Sequence, residues 1–301
     1  MNPIAKRTIS GLAVGIGVIA LFLYCPLRGI FPIVLALSTL AQLEFYQLAK
    51  KYQPVTWFGL LVGGAFVSAA GLYGFSPDLF AVVFYFIPAL LLTILLLCLF
   101  VLFNPRYANP IGSIGVTLMG FFYVPFLLAF FLLTTQYTGQ GFWGGEAWTS
   151  RAGLYTLLAL VAMAKFSDTG GFAFGIAFGK HKMCPSISPK KSWEGLAGSM
   201  LFAAATAAVF LWLSRHFGWA DDILAWESLT YPRALAIGAA TALVATASDL
   251  IESRFKREVG VKDSATFMPA GMGGFLDMLD STLFLPAIVY PLLILAEQLA
   301  H

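Results

Sequence analysis

Four carboxylic acids lie at the ends of two long apolar segments, where a lipid bilayer disfavours charge. Asp249 and Glu252 end one segment, and Asp277 and Asp280 open the next. A charged side chain at bilayer depth costs about 2.5–3.5 kcal/mol on insertion scales, so such acids usually face water, a cation or a substrate. On helices, the three-residue spacing places each pair on one face. Converging carboxylate oxygens suit Mg²⁺, and the sequence therefore predicts a metal site at the membrane surface.

A basic segment and a glycine-rich turn connect the two acid pairs. Helical spacing brings Ser253 and Lys256 to the face that carries Asp249 and Glu252. The charged and glycine residues that follow are Arg254, Arg257, Lys262, Asp263, Gly273 and Gly274. Basic side chains attract phosphate, and exposed amides in the turn 269–274 could also contact it. We predict a phosphate site beside the metal; the alternative is an interhelical salt-bridge lock without chemistry.

A second group of reactive residues begins inside an apolar segment. Lys165 and Asp168 are three residues apart and share a helix face. They either contact a ligand or form a buried structural ion pair, because buried charges need partners. The glycines that follow, at 170, 171 and 175, either admit a ligand or allow close helix packing.

The loop after this segment is basic and hydroxyl-rich. It contains Ser188-Pro-Lys190-Lys191-Ser192, and a new apolar helix is predicted to start directly after it. Two ammonium groups and two hydroxyls near a helix N-terminus suit a phosphate. A lysine pair beside a membrane can equally be a topology signal or a contact for anionic lipids.

The composition indicates the kind of protein that carries these residues. Of 301 residues, 59% are hydrophobic and only 11% are charged, unlike an ordinary soluble domain. The formal net charge of +3 is too small to indicate a nucleic-acid partner, and none is expected. The three cysteines, Cys25, Cys98 and Cys184, lie far apart without metal-ligand spacing. The chain is therefore predicted to be an all-α polytopic integral membrane protein.

Hydropathy predicts about nine transmembrane helices, each long enough to cross about 30 Å of hydrocarbon. The predicted spans are 8–26, 29–48, 56–75, 79–103, 110–135, 153–178, 195–214, 231–253 and 275–298. We divide them into N-terminal helices at 1–109, with about four spans, and a C-terminal catalytic region at 110–301, with about five. No convincing internal repeat relates the two parts.

Orientation follows from the distribution of lysine and arginine, which are enriched in cytoplasmic loops. With the N-terminus in the cytoplasm, thirteen basic residues fall in inside segments and four in outside segments, with Lys165 inside a span. The loops 179–194 and 254–273 are then cytoplasmic, and the C-terminus is outside. We expect a multi-pass protein of the cell (inner) membrane whose active site faces the cytoplasm, where nucleotides occur.

The motifs resemble the signature of the phosphatidate cytidylyltransferases, the CDP-diacylglycerol synthases. The matching C-terminal residues are Ser253, Phe255, Lys256, Arg257, Lys262, Asp263, Gly273, Gly274, Asp277, Asp280 and Ser281. Upstream, Ser167-Asp168-x-Gly170 and the run 188–195 are similar to that family's second motif. The polytopic pattern agrees over essentially the whole chain, while the N-terminal third supports the resemblance through hydropathy alone.

The resemblance implies an activity and roles for residues. CTP and phosphatidic acid would give CDP-diacylglycerol and pyrophosphate, with Mg²⁺ required and a second cation left open. Asp249, Asp277 and Asp280 would be metal ligands and, with Lys262, catalytic residues. The residues implied to bind substrate are Lys165, Asp168, Ser188, Lys190, Lys191, Ser253, Lys256, Arg257, Asp263, Gly273 and Gly274. The implied partners are the two substrates and membrane lipids, and a homodimer is left open.

The sequence departs from the family pattern in the turn. Many members read Pro-Gly-His-Gly-Gly and then Asp-Arg-x-Asp, whereas this chain has Met272 at the histidine position and Met278 at the arginine position. The turn is also one residue longer, with Ala270 inserted. Methionine neither carries charge nor takes up a proton, so any role of that histidine or arginine is absent or supplied elsewhere.

Three alternative functions stay open at this point. A related cytidylyltransferase could use another lipid phosphate, such as an isoprenoid phosphate, or another nucleotide. A transporter would also place acids and a lysine near broken helices, but it would show repeated halves. A paralogue without catalysis would keep the helices and lose the activity.

Overall fold

The computed structural model of the protein describes residues 27–73, 85–137, 151–217, 229–261, 264 and 274–298. The predicted first span, 8–26, lies outside the described residues, as do Lys262, Asp263, Gly273 and Met272. The described chain is helical apart from one short hairpin, which confirms the predicted all-helical class.

The described residues form ten α-helices. In chain order they are α1 Leu27–Leu48, α2 Thr56–Tyr73, α3 Ile87–Leu102, α4 Pro110–Phe121, α5 Leu127–Gln136, α6 Arg151–Phe178, α7 Trp193–Phe217, α8 Tyr231–Glu258, α9 Phe275–Leu279 and α10 Phe284–Gln298. A 3₁₀ turn, Lys50–Tyr52, follows α1, and a π-helical turn, Phe122–Phe126, joins α4 to α5. Pro125 lies inside that π turn, where its missing N–H is accommodated.

Within the residues that the structure describes, six helical segments are long and apolar enough to cross a membrane, so the chain is a multi-pass membrane protein. They are Ile30–Leu48, Pro110–Gln136, Gly153–Phe178, Trp193–Phe217, Tyr231–Glu258 and Phe275–Leu295. Two further predicted spans correspond to shorter apolar helices, Thr56–Leu72 and Ile87–Leu102. The count of nine spans and the orientation remain predictions.

The largest core joins the N-terminal helices to the C-terminal ones. Phe45 and Tyr46 of α1 are buried with Tyr123 of the π turn, and Leu276 of α9 belongs to the same cluster. The core also contains polar contacts between helices, because the Tyr46 hydroxyl donates to the Thr117 carbonyl at 2.8 Å. Such interhelical hydrogen bonds satisfy polar groups that lipid cannot. Helix α1 therefore packs directly against α9, the segment that carries Asp277.

Helices α6 and α7 cross in close contact through glycines. A Cβ atom added at Gly170 would lie 2.5 Å from the Gly198 carbonyl oxygen, and one added at Gly198 would lie 2.7 Å from the Gly170 carbonyl oxygen. Ser199 donates a hydrogen bond to the Ser167 carbonyl at 2.9 Å across the same interface. Of the two interpretations of the glycines after Asp168, helix packing holds at Gly170, and this close approach fixes α6 against α7.

A two-stranded antiparallel hairpin connects α6 to α7. Its strands are β1 Lys182–Cys184 and β2 Ser188–Ser192, with Lys182 paired to Ser192. Ser192 then accepts a hydrogen bond from the Gly195 amide at 3.1 Å, which satisfies one of the free N–H groups at the start of α7. The predicted basic loop thus forms a folded hairpin whose second strand leads directly into a helix.

The α6–α7 crossing predicts a clear difference between two Gly→Ala substitutions. Gly198→Ala should lower the free energy of unfolding by about 1–3 kcal/mol, because the methyl group meets a backbone oxygen that cannot move freely. Gly64→Ala in α2 is the matched control, since a Cβ there meets nothing within 4 Å. That control should be neutral or stabilising by up to about 1 kcal/mol. Thermal unfolding of the purified proteins in detergent measures both, and equal melting temperatures would contradict the packing.

Candidate metal and phosphate site

Three carboxylates from two segments converge at one point. Asp249 and Glu252 lie three residues apart on α8, and Asp280 lies in the turn after α9. Their ligand oxygens are all within 4.8 Å of one another. Asp280 is held by its neighbours, because the Ser248 hydroxyl donates to its carbonyl and the Ser281 amide donates to its Oδ1 at 2.5 Å. The group has the size and the hard oxygen donors that a divalent cation such as Mg²⁺ requires.

The burial of Glu252 supports a cation at this position. Its side chain is 0% exposed, and no hydrogen-bond donor in the described part of the chain reaches Oε1. The other oxygen, Oε2, lies 3.2 Å from Lys256 Nζ. A buried carboxylate beside two others needs more positive charge than one lysine supplies. These residues therefore fit the magnesium ion that the sequence predicted.

Three lysines from three different segments surround the acids. Lys191 of β2 lies 2.6 Å from Asp249 Oδ2, and Lys256 of α8 lies 2.6 Å from Asp277 Oδ1. Lys165 of α6 donates to the Ser281 hydroxyl at 3.0 Å. The two predicted motifs, far apart in sequence, are thus brought together around one group of acids. Acids and ammonium groups in one place can hold a cation and a polyphosphate simultaneously.

Lys165 and Asp168 meet at the turn after α9. Lys165 donates to the Met278 carbonyl at 3.1 Å in addition to Ser281. Asp168 hydrogen-bonds through its side chain to Ser281. Both side chains are accessible to solvent although they lie within a membrane-spanning helix. Met278, at the family's arginine position, contributes its backbone oxygen to this contact.

Asp277 lies beside Glu252 and Lys256, but it is not one of the three acids whose oxygens converge. Its Oδ1 is paired with Lys256, and its Oδ2 accepts hydrogen bonds from the Gly274 amide at 2.7 Å and the Ser264 amide at 3.2 Å. It therefore holds both ends of the connection between α8 and α9. The structure groups Glu252, rather than Asp277, with Asp249 and Asp280, and direct metal ligation by Asp277 stays a prediction. The three-residue spacing between Asp249 and Glu252 is the sequence signal for placing Glu252 in this group.

The other predicted residues lie around this group or outside the described chain. Ser253 donates to Asp249 Oδ1 at 3.4 Å. Arg257 donates to the Ile187 carbonyl at 3.3 Å and so connects α8 to the hairpin. Lys190 is exposed on β2, and Ser188 at the start of that strand is partly buried. Gly274 caps α9, while Lys262, Asp263 and Gly273 lie outside the described residues.

Comparison with known proteins assigns the family. The model of the Cytidylyltransferase family matches residues 5–296, which is nearly the whole chain. The chain belongs to the cytidylyltransferase family. The resemblance found in its motifs is therefore confirmed.

Three relatives of this chain are named as phosphatidate cytidylyltransferases. The chain is 38% identical over 129 residues to a phosphatidate cytidylyltransferase of Haemophilus influenzae, covering 43% of this chain and 42% of that protein. It is 33% identical over 181 residues to a phosphatidate cytidylyltransferase of Mycobacterium bovis, covering 60% and 50%. It is 32% identical over 200 residues to phosphatidate cytidylyltransferase 5, chloroplastic, of Arabidopsis thaliana, covering 62% and 45%. The matches span about half the length of these relatives.

The acid group predicts how metal binding depends on individual carboxylates. Glu252→Gln should weaken Mn²⁺ binding by about tenfold or more, because removing one charge from three lowers the attraction for a divalent ion. Glu258→Gln is the control, since Glu258 lies on the same helix with its side chain 54% exposed and contacts Lys51 instead. Electron paramagnetic resonance of free Mn²⁺ in a titration measures both affinities. Equal binding by the two variants would rule out Glu252 as a ligand.

Proposed function

We propose that this protein transfers the cytidylyl group from CTP to phosphatidic acid, which gives CDP-diacylglycerol and pyrophosphate. The observation that carries the proposal is the convergence of Asp249, Glu252 and Asp280 with lysines from three segments. Family membership and the names of the relatives supply the nucleotide and the lipid. A reaction between two polyanions needs this combination of acids for a metal and ammonium groups for phosphates.

The chemistry requires charge neutralisation more than proton transfer. A phosphate oxygen of phosphatidate attacks the α-phosphorus of CTP and forms a new P–O bond. The bond between the α-phosphorus and the oxygen that bridges to the β-phosphorus breaks, and pyrophosphate leaves. The nucleophile is already ionised, so no general base is needed. The protein has to bring two anions together and keep the attacking and leaving oxygens in line.

The lysines of the site would neutralise the phosphates. Lys256 lies between Glu252 and Asp277, and Lys191 lies against Asp249, so both ammonium groups are held at the edge of the acid group. We assign Lys191 and Lys256 to the triphosphate, and Lys165 to the lipid phosphate, because it is exposed within the membrane-spanning part of α6. The other residues proposed for substrate binding are Asp168, Ser188, Lys190, Ser253, Arg257, Lys262, Asp263, Gly273 and Gly274.

The metal ligands are proposed on the same geometry. Asp249, Glu252 and Asp280 would hold Mg²⁺, and Asp277 would join them or keep Lys256 in position. The ion, when bound, polarises phosphate oxygens and offsets the charge that builds up on them. Lys262 would complete the catalytic set from the basic segment, and a second cation remains an option.

We also propose the membrane arrangement on which this function depends. Nine spans, a cytoplasmic N-terminus and cytoplasmic loops at 179–194 and 254–273 would place the site where CTP is available. The distribution of basic residues supports this orientation. The division into N-terminal helices at 1–109 and a catalytic region at 110–301 is part of the same proposal.

The direct test is an assay of the purified protein in mixed micelles with phosphatidate. Pyrophosphate release should require CTP, phosphatidate and Mg²⁺ together, and CDP-diacylglycerol should form in equal amount. Asp249→Asn and Asp277→Asn should each lower turnover by roughly 100-fold or more, because several kcal/mol of charge stabilisation is lost. Glu258→Gln should retain the native rate.

The same assay separates the alternatives. Turnover with an isoprenoid phosphate but not with phosphatidate would assign a different lipid substrate, and turnover with another nucleoside triphosphate would assign a different nucleotide. Absence of turnover with every combination would overturn the proposal. Near-native activity of Asp249→Asn at limiting Mg²⁺ would show that the acid group is not the metal site.

Orientation can be tested by cysteine labelling. In a protein whose native cysteines are replaced by serine, Lys190→Cys and Lys262→Cys should react with an impermeant reagent from the cytoplasmic side of the membrane. Arg233→Cys, near the start of α8, should react from the opposite side, because α8 is long enough to span. Labelling of the Lys190 and Lys262 positions from opposite sides would rule out the proposed arrangement.

A further inference from the structure

Glu44 has a buried carboxyl group and lies in the N-terminal part of the chain, where no sequence motif indicates a functional site. It lies in the membrane-spanning part of α1, and its side chain is 0% exposed. An ionisable residue at bilayer depth is costly and is retained where it makes a specific contact. Its contact here is with the turn that carries the C-terminal acids, at the other end of the sequence.

The contact joins α1 to the start of α9. Glu44 Oε2 accepts a hydrogen bond from the Leu276 amide at 2.9 Å. The first N–H groups of a helix have no acceptor within the helix, and a side chain at the N-cap normally supplies one. The N-cap of α9 is Gly274, which has no side chain to do so. Glu44 therefore supplies from another helix the acceptor that the sequence of α9 lacks.

The turn is fitted closely around this carboxyl group. A Cβ atom at Gly274 would lie 2.5 Å from Glu44 Oε2 and 2.4 Å from the Ser264 hydroxyl oxygen, so a larger residue would displace these side chains. Leu276 is 0% exposed and packs in the same core as Phe45, the residue after Glu44. One contact therefore sets both the distance and the direction of α9 relative to α1.

The acids of the site depend on the placement of α9. Asp277 directly follows Leu276, and Asp280 follows the last residue of α9. Asp277 binds Lys256, and Asp280 belongs to the group of three carboxylates. A shift of this five-residue helix would move both acids together, because the helix is too short to absorb the change.

We propose that Glu44 is a positioning residue for the metal and phosphate site, acting through the Leu276 amide to hold Asp277 and Asp280 against α8. Only the expected effect of Glu44 on turnover rests on the proposed function. The order of the turn and the affinity for a divalent cation can be measured without CTP or lipid. A residue far from the sequence motifs thereby determines the geometry of the acids within them.

The test compares Glu44→Ala with Gln42→Ala, a buried polar residue on the same helix. Gln42 donates to the Gly59 carbonyl at 3.0 Å and to the Tyr46 hydroxyl at 3.1 Å. It therefore stabilises the packing of α1 against α2, and neither of these hydrogen bonds reaches α9. Both variants should lower the melting temperature in detergent, so loss of stability alone cannot distinguish them.

Two measurements distinguish a positioning role from a structural one. Hydrogen exchange of the peptide 274–283 should be roughly two- to tenfold faster in Glu44→Ala, and unchanged in Gln42→Ala, because only the first variant removes the acceptor for the Leu276 amide. Mn²⁺ affinity should fall by about tenfold in Glu44→Ala alone, as expected when the support of a metal ligand is lost. Glu44→Gln should restore most of both properties, because its amide oxygen can accept the same hydrogen bond.

The outcomes that overturn the proposal are equally specific. The proposal is overturned if Glu44→Ala keeps the native hydrogen-exchange rate and the native Mn²⁺ affinity. It is also overturned if Gln42→Ala changes both quantities as much as Glu44→Ala does. If Glu44→Ala does not fold, Glu44→Asp replaces it, since its shorter side chain withdraws the acceptor; native Mn²⁺ affinity in that variant would overturn the proposal. Failure of the native protein to turn over CTP would overturn the proposed function and leave these measurements intact.

Discussion

The structure depends on placing three carboxylates in one group on membrane-spanning segments. Asp249, Glu252 and Asp280 repel one another there unless positive charge is close. Part of that charge comes from Lys191 and Lys256, which lie on different elements and bind at the edges of the group. The hairpin and α8 must therefore meet at a fixed distance, and the proposed divalent cation would supply the positive charge that the lysines do not.

The surrounding fold meets this requirement by close helix contacts. Gly170 and Gly198 allow close contact between α6 and α7. The position of the hairpin that connects these helices, next to the acid group, is thereby restricted. On the other side, the Phe255 ring of α8 packs edge-on against Phe45 at 6.0 Å and Tyr123 at 5.2 Å between ring centroids. The N-terminal helices thus position the end of α8 and, through Glu44, the start of α9.

The sequence predicted what depends on local pattern and missed what depends on distant contacts. Hydropathy located the apolar helices, and three-residue spacing placed Asp249 and Glu252 on one face. The pairing of Lys191 with Asp249 and the contact of Glu44 with Leu276 join segments far apart in the chain, and no local period reports them. The spacing gave Asp277 and Asp280 the same predicted role, and the structure places only Asp280 among the three converging acids, since Asp277 is bound by Lys256 and the Gly274 amide. Gly170 was ambiguous because packing and ligand contact favour the same residue.

The central claim is that Asp249, Glu252 and Asp280 form one divalent-cation site. The most direct test is an anomalous difference map from crystals of the protein grown with Mn²⁺, recorded at the manganese absorption edge. The account predicts a single strong peak within about 2.0–2.6 Å of an oxygen from each of the three acids, as expected for hard cations bound by carboxylates. A peak bound by Asp277 without Glu252, or no peak among these acids at saturating Mn²⁺, would contradict it.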